Sequence, residues 1–203
     1  MLPMSGGSLK SKTTSPKLRA LDLRRRLPKS SILNMNKKQV KELIRLKSHV
    51  NIQLGGGADC PRGFINVDIL DLPQVDVVHD LEVIPWPFPD ECADLLIASH
   101  LVEHINPHKG GFIKFMDEAW RITKPGGEFM ISTPFAGSYG YYQDPTHINP
   151  CNDATFWYFD PLKAKGHLYN VYKPKPWQIK AEAWDMQGNL EVMLIKRKEV
   201  KNR

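Results

Sequence analysis

Residues 51–68 read NIQLGGGADCPRGFINVD. Ile52 and Leu54 make a short apolar strand that runs into Gly55, Gly56 and Gly57, and a second strand, Phe64–Val67, ends on Asp68. Glycines directly after a strand let main-chain amides approach a ligand where a Cβ would collide. A carboxylate closing the next strand can hold both hydroxyls of a ribose. The stretch therefore predicts a nucleoside pocket at the carboxyl edge of a parallel sheet. Only eleven steps separate Gly57 from Asp68, and the intervening ADCPRG cannot hold a helix. A dinucleotide site places its acid ~20 residues on, because a full crossover helix intervenes. The first crossover is thus a loop or turn, which argues against a nicotinamide oxidoreductase or a flavin protein.

Working outward toward the N-terminus, residues 36–39 (NKKQ) have the form of a capping box. The helix they open is expected to reach about His49, with Val40, Leu43 and Ile44 facing in. Residues 1–31 are rich in Ser, Gly, Pro, Lys and Arg and have little to bury, so they read as a disordered basic tail. Within them Leu18–Leu27, with Arg24, Arg25 and Arg26, has the makings of a short helix or a basic docking peptide. Residues 32–203 form a single domain.

Toward the C-terminus, a third strand is expected at Val75–His79, ending at Asp80, and then a proline-punctuated loop, PWPFPDE, at 85–91. Ala93–Ala98 (ADLLIA) is wholly apolar but for Asp94, which predicts a central strand buried on both faces. Ser99 and His100 end it, and Glu103 and His104 follow. Phe112, Phe115, Met116, Ala119 and Ile122 recur at helical spacing until KPGG (124–127) stops the helix and starts a strand, Glu128–Thr133. Strands alternating with helical segments indicate an α/β parallel sheet. Residues 134–176 break the alternation: all six tyrosines lie there with six prolines, as expected of a lid or acceptor wall over the sheet's carboxyl edge. Trp177–Asp185 and Leu190–Lys198, joined by a Met-Gln-Gly-Asn turn, form an antiparallel hairpin.

At 203 residues the chain can bury a sizeable core. No apolar run approaches the ~20 residues of a membrane span, and no signal-peptide core opens the chain. Cys60, Cys92 and Cys151 form no paired framework, which suits a reducing, cytoplasmic location. The net charge of +6 is unevenly placed. Residues 1–31 hold eight Lys and Arg, and residues 195–203 hold five. Residues 32–194 hold 15 basic against 20 acidic residues, net −5. A nucleic-acid enzyme carries positive charge around its cleft. Here only the ends are basic, so they read as solvated termini.

Four stretches together, LGGG with NVD, VVHDL, WPFPDECADLLIASHLVEHI and EAWRITKPGGEFMISTP, make the chain similar to class I S-adenosylmethionine (SAM)-dependent methyltransferases, most of all the small methyltransferase type 11 proteins. The resemblance covers roughly residues 50–134. It implies a Rossmann-like, seven-stranded, mostly parallel sheet with an antiparallel C-terminal hairpin and a shortened first crossover. It also implies SAM as cofactor. Gly55, Gly56 and Gly57 would pass the methionine part, Asp68 would bind the ribose, Asp80 and the Leu81 amide would meet the adenine, and Ser99 and His100 would line the floor near the sulfonium. Two positions depart from the pattern: Gln53 stands where an acid is usual, and Asp59 where a glycine would be.

Methyl transfer needs alignment and water exclusion, and a general base adds a factor of ~10²–10⁴. Gln143-Asp144-Pro145-Thr146-His147 offers the base: His147 as base or acceptor ligand, with Asp144 orienting it. His100, His104 and His108 recur every four residues with Glu103 among them, but the order H-L-V-E-H misplaces the glutamate of a zincin. No metal site is expected; His100 is read as facing the cofactor and His104 as a packed core residue. The acceptor is expected to be a small molecule or sugar-like group. Two alternatives stand beside it: an RNA or DNA methyltransferase using its basic ends as arms, which lacks the N-P-P-Y type of signature, and a non-catalytic SAM- or nucleotide-binding module.

Overall fold

A computed structural model describes residues 37–163 and 169–197. The tail at 1–31, Asn36 of the expected capping box and residues 198–203 lie outside the described residues. The described chain begins with helix α1 (Lys37–Arg45). Strands β1 (Asn51–Leu54), β2 (Ile65–Asp68), β3 (Val77–Val78) and β4 (Ala93–Ser99) follow. Helix α2 (Gly111–Ile122) leads into β5 (Thr123–Pro134). Three short helices, α3 (Tyr139–Tyr142), α4 (Asp153–Trp157) and α5 (Tyr169–Tyr172), precede the hairpin β6 (Trp177–Trp184) and β7 (Asn189–Lys196).

The seven strands form one sheet in the order β3-β2-β1-β4-β5-β7-β6. β7 is antiparallel to both β5 and β6; the other pairings are parallel. This is the expected Rossmann-like sheet with its antiparallel end. No helix occupies residues 55–64, as the eleven-step spacing required.

Helix α2 buries Phe112, Phe115, Met116, Ala119 and Ile122, the positions its periodicity picked out. Phe115 packs on Phe129 of β5, with ring centroids 6.5 Å apart, so α2 covers the sheet face that carries Phe129 and its neighbour Leu96. The helix ends where the Thr123 hydroxyl donates to Ala119 O, just ahead of Pro125. Its last turn anchors the proline loop: Glu118 accepts from the Trp86 amide, and Arg121 donates to Trp86 O, Phe88 O and Asp90.

Six expectations change. β3 is only Val77–Val78, short of the expected Val75–His79, and β5 begins at Thr123, so residues 124–127 lie inside the strand rather than ahead of it. α1 ends at Arg45, four residues short of His49, because the chain must turn into β1; the Lys47 amide donates to Ile44 O and its ammonium to Gly63 O. β4 is central, yet Leu95 and Ile97 are only half-buried. They alternate with Leu96 and Ala98 onto the opposite face, where Met130 is 37% exposed and the helix-free first crossovers supply less cover. Lys196 and Arg197 are not solvated tail residues. Lys196 is buried, donates to Glu91 and Thr123 O, and lies 3.8 Å from the Trp120 ring centroid, while Arg197 pairs with Asp160. Finally, the aromatic segment divides in two. Phe156 and Phe159 join the core edge-on against Phe112, and residues 135–151 remain at the carboxyl edge.

Candidate functional site

The glycine bend is closed by its own neighbours. The Gly55 and Gly56 amides donate to Val67 O, and the Gly57 amide donates to Asp68 Oδ2 at 2.8 Å. Gly55 and Gly57 have φ of +64° and +50°, in the left-handed region that costs other residues about 1–2 kcal/mol. A Cβ on Gly55 would stand 2.7 Å from Leu101 Cδ1. One on Gly57 would meet nothing nearer than Asp68 Oδ2, at 3.9 Å, so the space between bend and carboxylate is open. Asp68 is held at the end of β2 by a second bond, from the Leu70 amide to Oδ1. Beneath the bend Asn66 donates to Gly57 O and Gln74 O, and buried Gln53 packs under Gly56.

Asp80 lies just past β3, next along the edge from Asp68, whose carbonyl accepts from the His79 amide. Asp80 Oδ1 caps the following turn through the Glu82 amide, and Leu81 is buried with its carbonyl on the Trp86 indole. Ser99 ends β4 opposite Ser132, and His100 leaves the strand with φ +50°. Leu101, which fills the space over Gly55, ties this turn to the glycine bend.

Beside His100 opens a cavity of about 390 Å³. Its wall is His100, Glu103 and His104 from the segment after β4, Gln143, Asp144 and His147 from the segment after α3, Pro134 and Gly140, and Gln187 and Asn189 from the β6–β7 turn. The structure thus brings His147 and Asp144 to the same edge as His100. Two amides bolt the segments together: Ile148 and Asn149 both donate to Glu103 O, and the Asn149 side chain donates to Val102 O.

The contacts on His147 differ from the expected pairing. Its Nδ1 is held by Tyr141 O at 2.7 Å. Asp144 stands on the other nitrogen, 3.8 Å from Nε2, and its Oδ1 organises the turn by accepting from the Thr146 amide and hydroxyl. Those two bonds hold the Asp144 carboxyl below the usual range. His104 is a cavity residue rather than a core residue, half-buried, with Nδ1 3.2 Å from Thr146 Oγ1 and its ring 4.7 Å from that of His147. His108 is exposed and lies outside the cavity wall.

From sequence Glu103 is seen only as the acid among His100, His104 and His108. It is fully buried, with Oε2 accepting from Thr133 Oγ1. The signal available was an acid between two histidines, but its partner His147 lies 44 residues on. Burial pushes Cys151 up to about 12, with help from the charge of Glu103, and pushes Cys60 and Cys92 up to about 11, which keeps these thiols from ionising to the reactive thiolate.

Among the described residues no helix is long and apolar enough to cross a membrane. Residues 58–131 match the family described as a methyltransferase domain. A stretch of 78 residues is 31% identical to a probable S-adenosylmethionine-dependent methyltransferase of Mycolicibacterium smegmatis. That stretch spans 38% of this chain and 28% of that relative. The fold is similar to the antibiotic-resistance methyltransferase Kmr, with a TM-score of 0.54 and 13% identity over 80% of this chain and 94% of that one. It is also similar to a mutant form of the 16S rRNA (adenine(1408)-N(1))-methyltransferase of Catenulisporales acidiphilia, with a TM-score of 0.52 and 12% identity over 82% and 94%. The sheet order and the glycine bend agree with this similarity to a methyltransferase domain over residues 58–131.

Proposed function

We propose that the protein transfers a methyl group from SAM to a hydroxyl of a small, polar, sugar-like acceptor. The observation that carries this reading is the Gly57 amide on Asp68 Oδ2: bare main chain and a carboxylate border one open space, and Leu101, packed over Gly55, leads the chain into Glu103 and His104 of the histidine-lined cavity. The residues fit the cofactor. The space beside Gly57 is open for the methionine part while Leu101 and Asn66 fill the space beside Gly55 and Gly56, Asp68 keeps lone pairs for the ribose hydroxyls beyond its two amide bonds, and Asp80 with the Leu81 amide lies next along the edge for the adenine. When bound, SAM supplies an electrophilic methyl on a positively charged sulfur.

The chain's own task is then to position the acceptor and take its proton. His147, with Nδ1 engaged by Tyr141 O, turns Nε2 toward the cavity side where Asp144 stands. We assign the two as the catalytic pair: Nε2 takes the hydroxyl proton, and Asp144 orients the ring from that side. Ser99 and His100 form the floor between the two halves. Cavities of ~300–1,000 Å³ suit small ligands. This wall holds imidazole, carboxylate and amide groups and, among the described residues, no Lys or Arg, which suits a polyol better than a phosphate backbone.

Calorimetric titration with SAM and its demethylated product tests the cofactor, with Asp68→Ala as the control expected to abolish most binding. A labelled-methyl screen of sugars and other polyols tests the acceptor. Strongly salt-dependent binding of oligonucleotides would favour an RNA or DNA acceptor instead, and SAM binding with no methylated product from any extract would favour a regulatory module.

A further inference from the structure

Glu103, His104 and His147 each bring a donor atom within 4.8 Å of the others, and the hydrogen bonds around them prepare all three as ligands. A carbonyl only accepts, so the Tyr141 O contact puts the proton of His147 on Nδ1 and leaves a lone pair on Nε2. The Thr146 hydroxyl has one hydrogen, and gives it to Asp144 Oδ1 at 2.7 Å. Toward His104 Nδ1 it can then only accept, which leaves the His104 Nε2 lone pair free as well. Metal-ligating histidines are oriented in this way, the second nitrogen donating to a carbonyl or to a carboxylate network.

Glu103 adds an independent observation. Its Oε1 is sealed from solvent and has no hydrogen-bond partner; His100 Nδ1 approaches to 3.3 Å without hydrogen-bond geometry. A buried anionic oxygen with no donor is costly unless a cation meets it. The neighbouring groups with lone pairs to share in that cation are the two imidazoles.

We propose that Glu103, His104 and His147 hold a first-row divalent transition-metal ion, with zinc as its representative, at the acceptor end of the cavity. Two imidazoles and one carboxylate suit zinc and its neighbours, whereas magnesium and calcium take oxygen ligands. Three protein ligands leave a coordination position for an acceptor oxygen. Donors on an ion at ~2.0–2.1 Å lie about 3.3 Å apart, so closure from within 4.8 Å takes side-chain rotation, not a backbone change. The inference rests on reading the cavity as the acceptor site and refines it. With the ion in place, Nε2 of His147 is occupied as a ligand, which replaces the base role assigned above: the metal polarises the acceptor hydroxyl, and its proton leaves to solvent.

The test is calorimetric titration of the full chain, freed of metal by chelator, with Zn²⁺ and separately with SAM. One zinc should bind per chain. His104→Ala and His147→Ala should each weaken it by more than ~100-fold, above the ~10–100-fold that losing an outer-shell partner costs, and Thr146→Val by ~10-fold. His108→Ala should bind like wild type. Glu103→Gln, which keeps the Thr133 bond and the fold, should weaken zinc and leave SAM binding unchanged. Co²⁺ in place of zinc should give a ligand-field spectrum that both histidine variants lose. Absence of saturable zinc binding, or zinc binding that survives both histidine substitutions, overturns the proposal. If SAM binds while zinc does not, this inference fails alone; if SAM does not bind, the methyltransferase reading fails with it.

Discussion

The glycine bend and the histidine cavity share one edge of one sheet, yet they are assembled by opposite means. In the bend, Asp68 reaches the Gly57 amide across eleven residues, and the amides of Gly55 and Gly56 end on Val67 of the same short segment. In the cavity, His147 reaches Glu103 and His104 from more than forty residues away, brought there because Ile148 and Asn149 donate to the Glu103 carbonyl. The first is backbone geometry that two adjacent parallel strands impose. The second needs β4, β5 and the segment after α3 all in place. A change in the bend should therefore act on cofactor binding and local strain, and a change in the cavity on turnover, with little exchange between them.

The sharpest division is expected from His147→Ala. Turnover should fall by ~10²–10⁴, the worth of a general base, with SAM affinity unchanged. A parallel loss of SAM affinity, read by calorimetry, would show that the two regions are one. Next in size, Asp68→Ala removes a charged acceptor, and such bonds are worth ~1.5–3 kcal/mol, so SAM affinity should fall by ~10–100-fold. The pH dependence of residual turnover, set in the cavity, should keep its shape.

Gly55→Ala is a smaller perturbation that touches both regions. The left-handed φ costs about 1–2 kcal/mol and the new methyl presses on Leu101, so melting should drop by several degrees. Because Leu101 precedes the 102–104 turn, a concurrent fall in turnover would measure how tightly the halves are coupled. Smallest of all is the pH response of the Asp144 turn. A carboxyl held below its usual value stabilises the fold fully above about pH 4, and that contribution is lost as pH falls through the lowered value. Amide exchange at Thr146 should accelerate in that acid range, while protection at Gly57, whose amide donates to Asp68, should not follow the Asp144 transition.

Particular residues show where reading from sequence stopped. Phe112, Phe115, Met116, Ala119 and Ile122 are legible because helical periodicity reports burial directly. Leu95 and Ile97 were misjudged because an apolar strand does not say whether each face has a helix to cover it. Lys196 looked like part of a basic tail, since composition cannot see Glu91, Thr123 O and Trp120 converging on it. In sequence His104 reads as core and Glu103 groups only with His100, His104 and His108, because the partner that completes the cluster, His147, lies in another segment.

By itself the sequence determined the sheet class, the glycine bend and the carboxylate facing it, because those follow from strand periodicity and an eleven-residue spacing that excludes a helix. Only the tertiary structure decided which polar side chains meet in the cavity, since the meeting depends on hydrogen bonds between segments that no local pattern encodes. The orphaned oxygen of Glu103 belongs to that second kind. A side chain's type is written in the chain, but whether anything answers it is settled when distant strands and turns close around it.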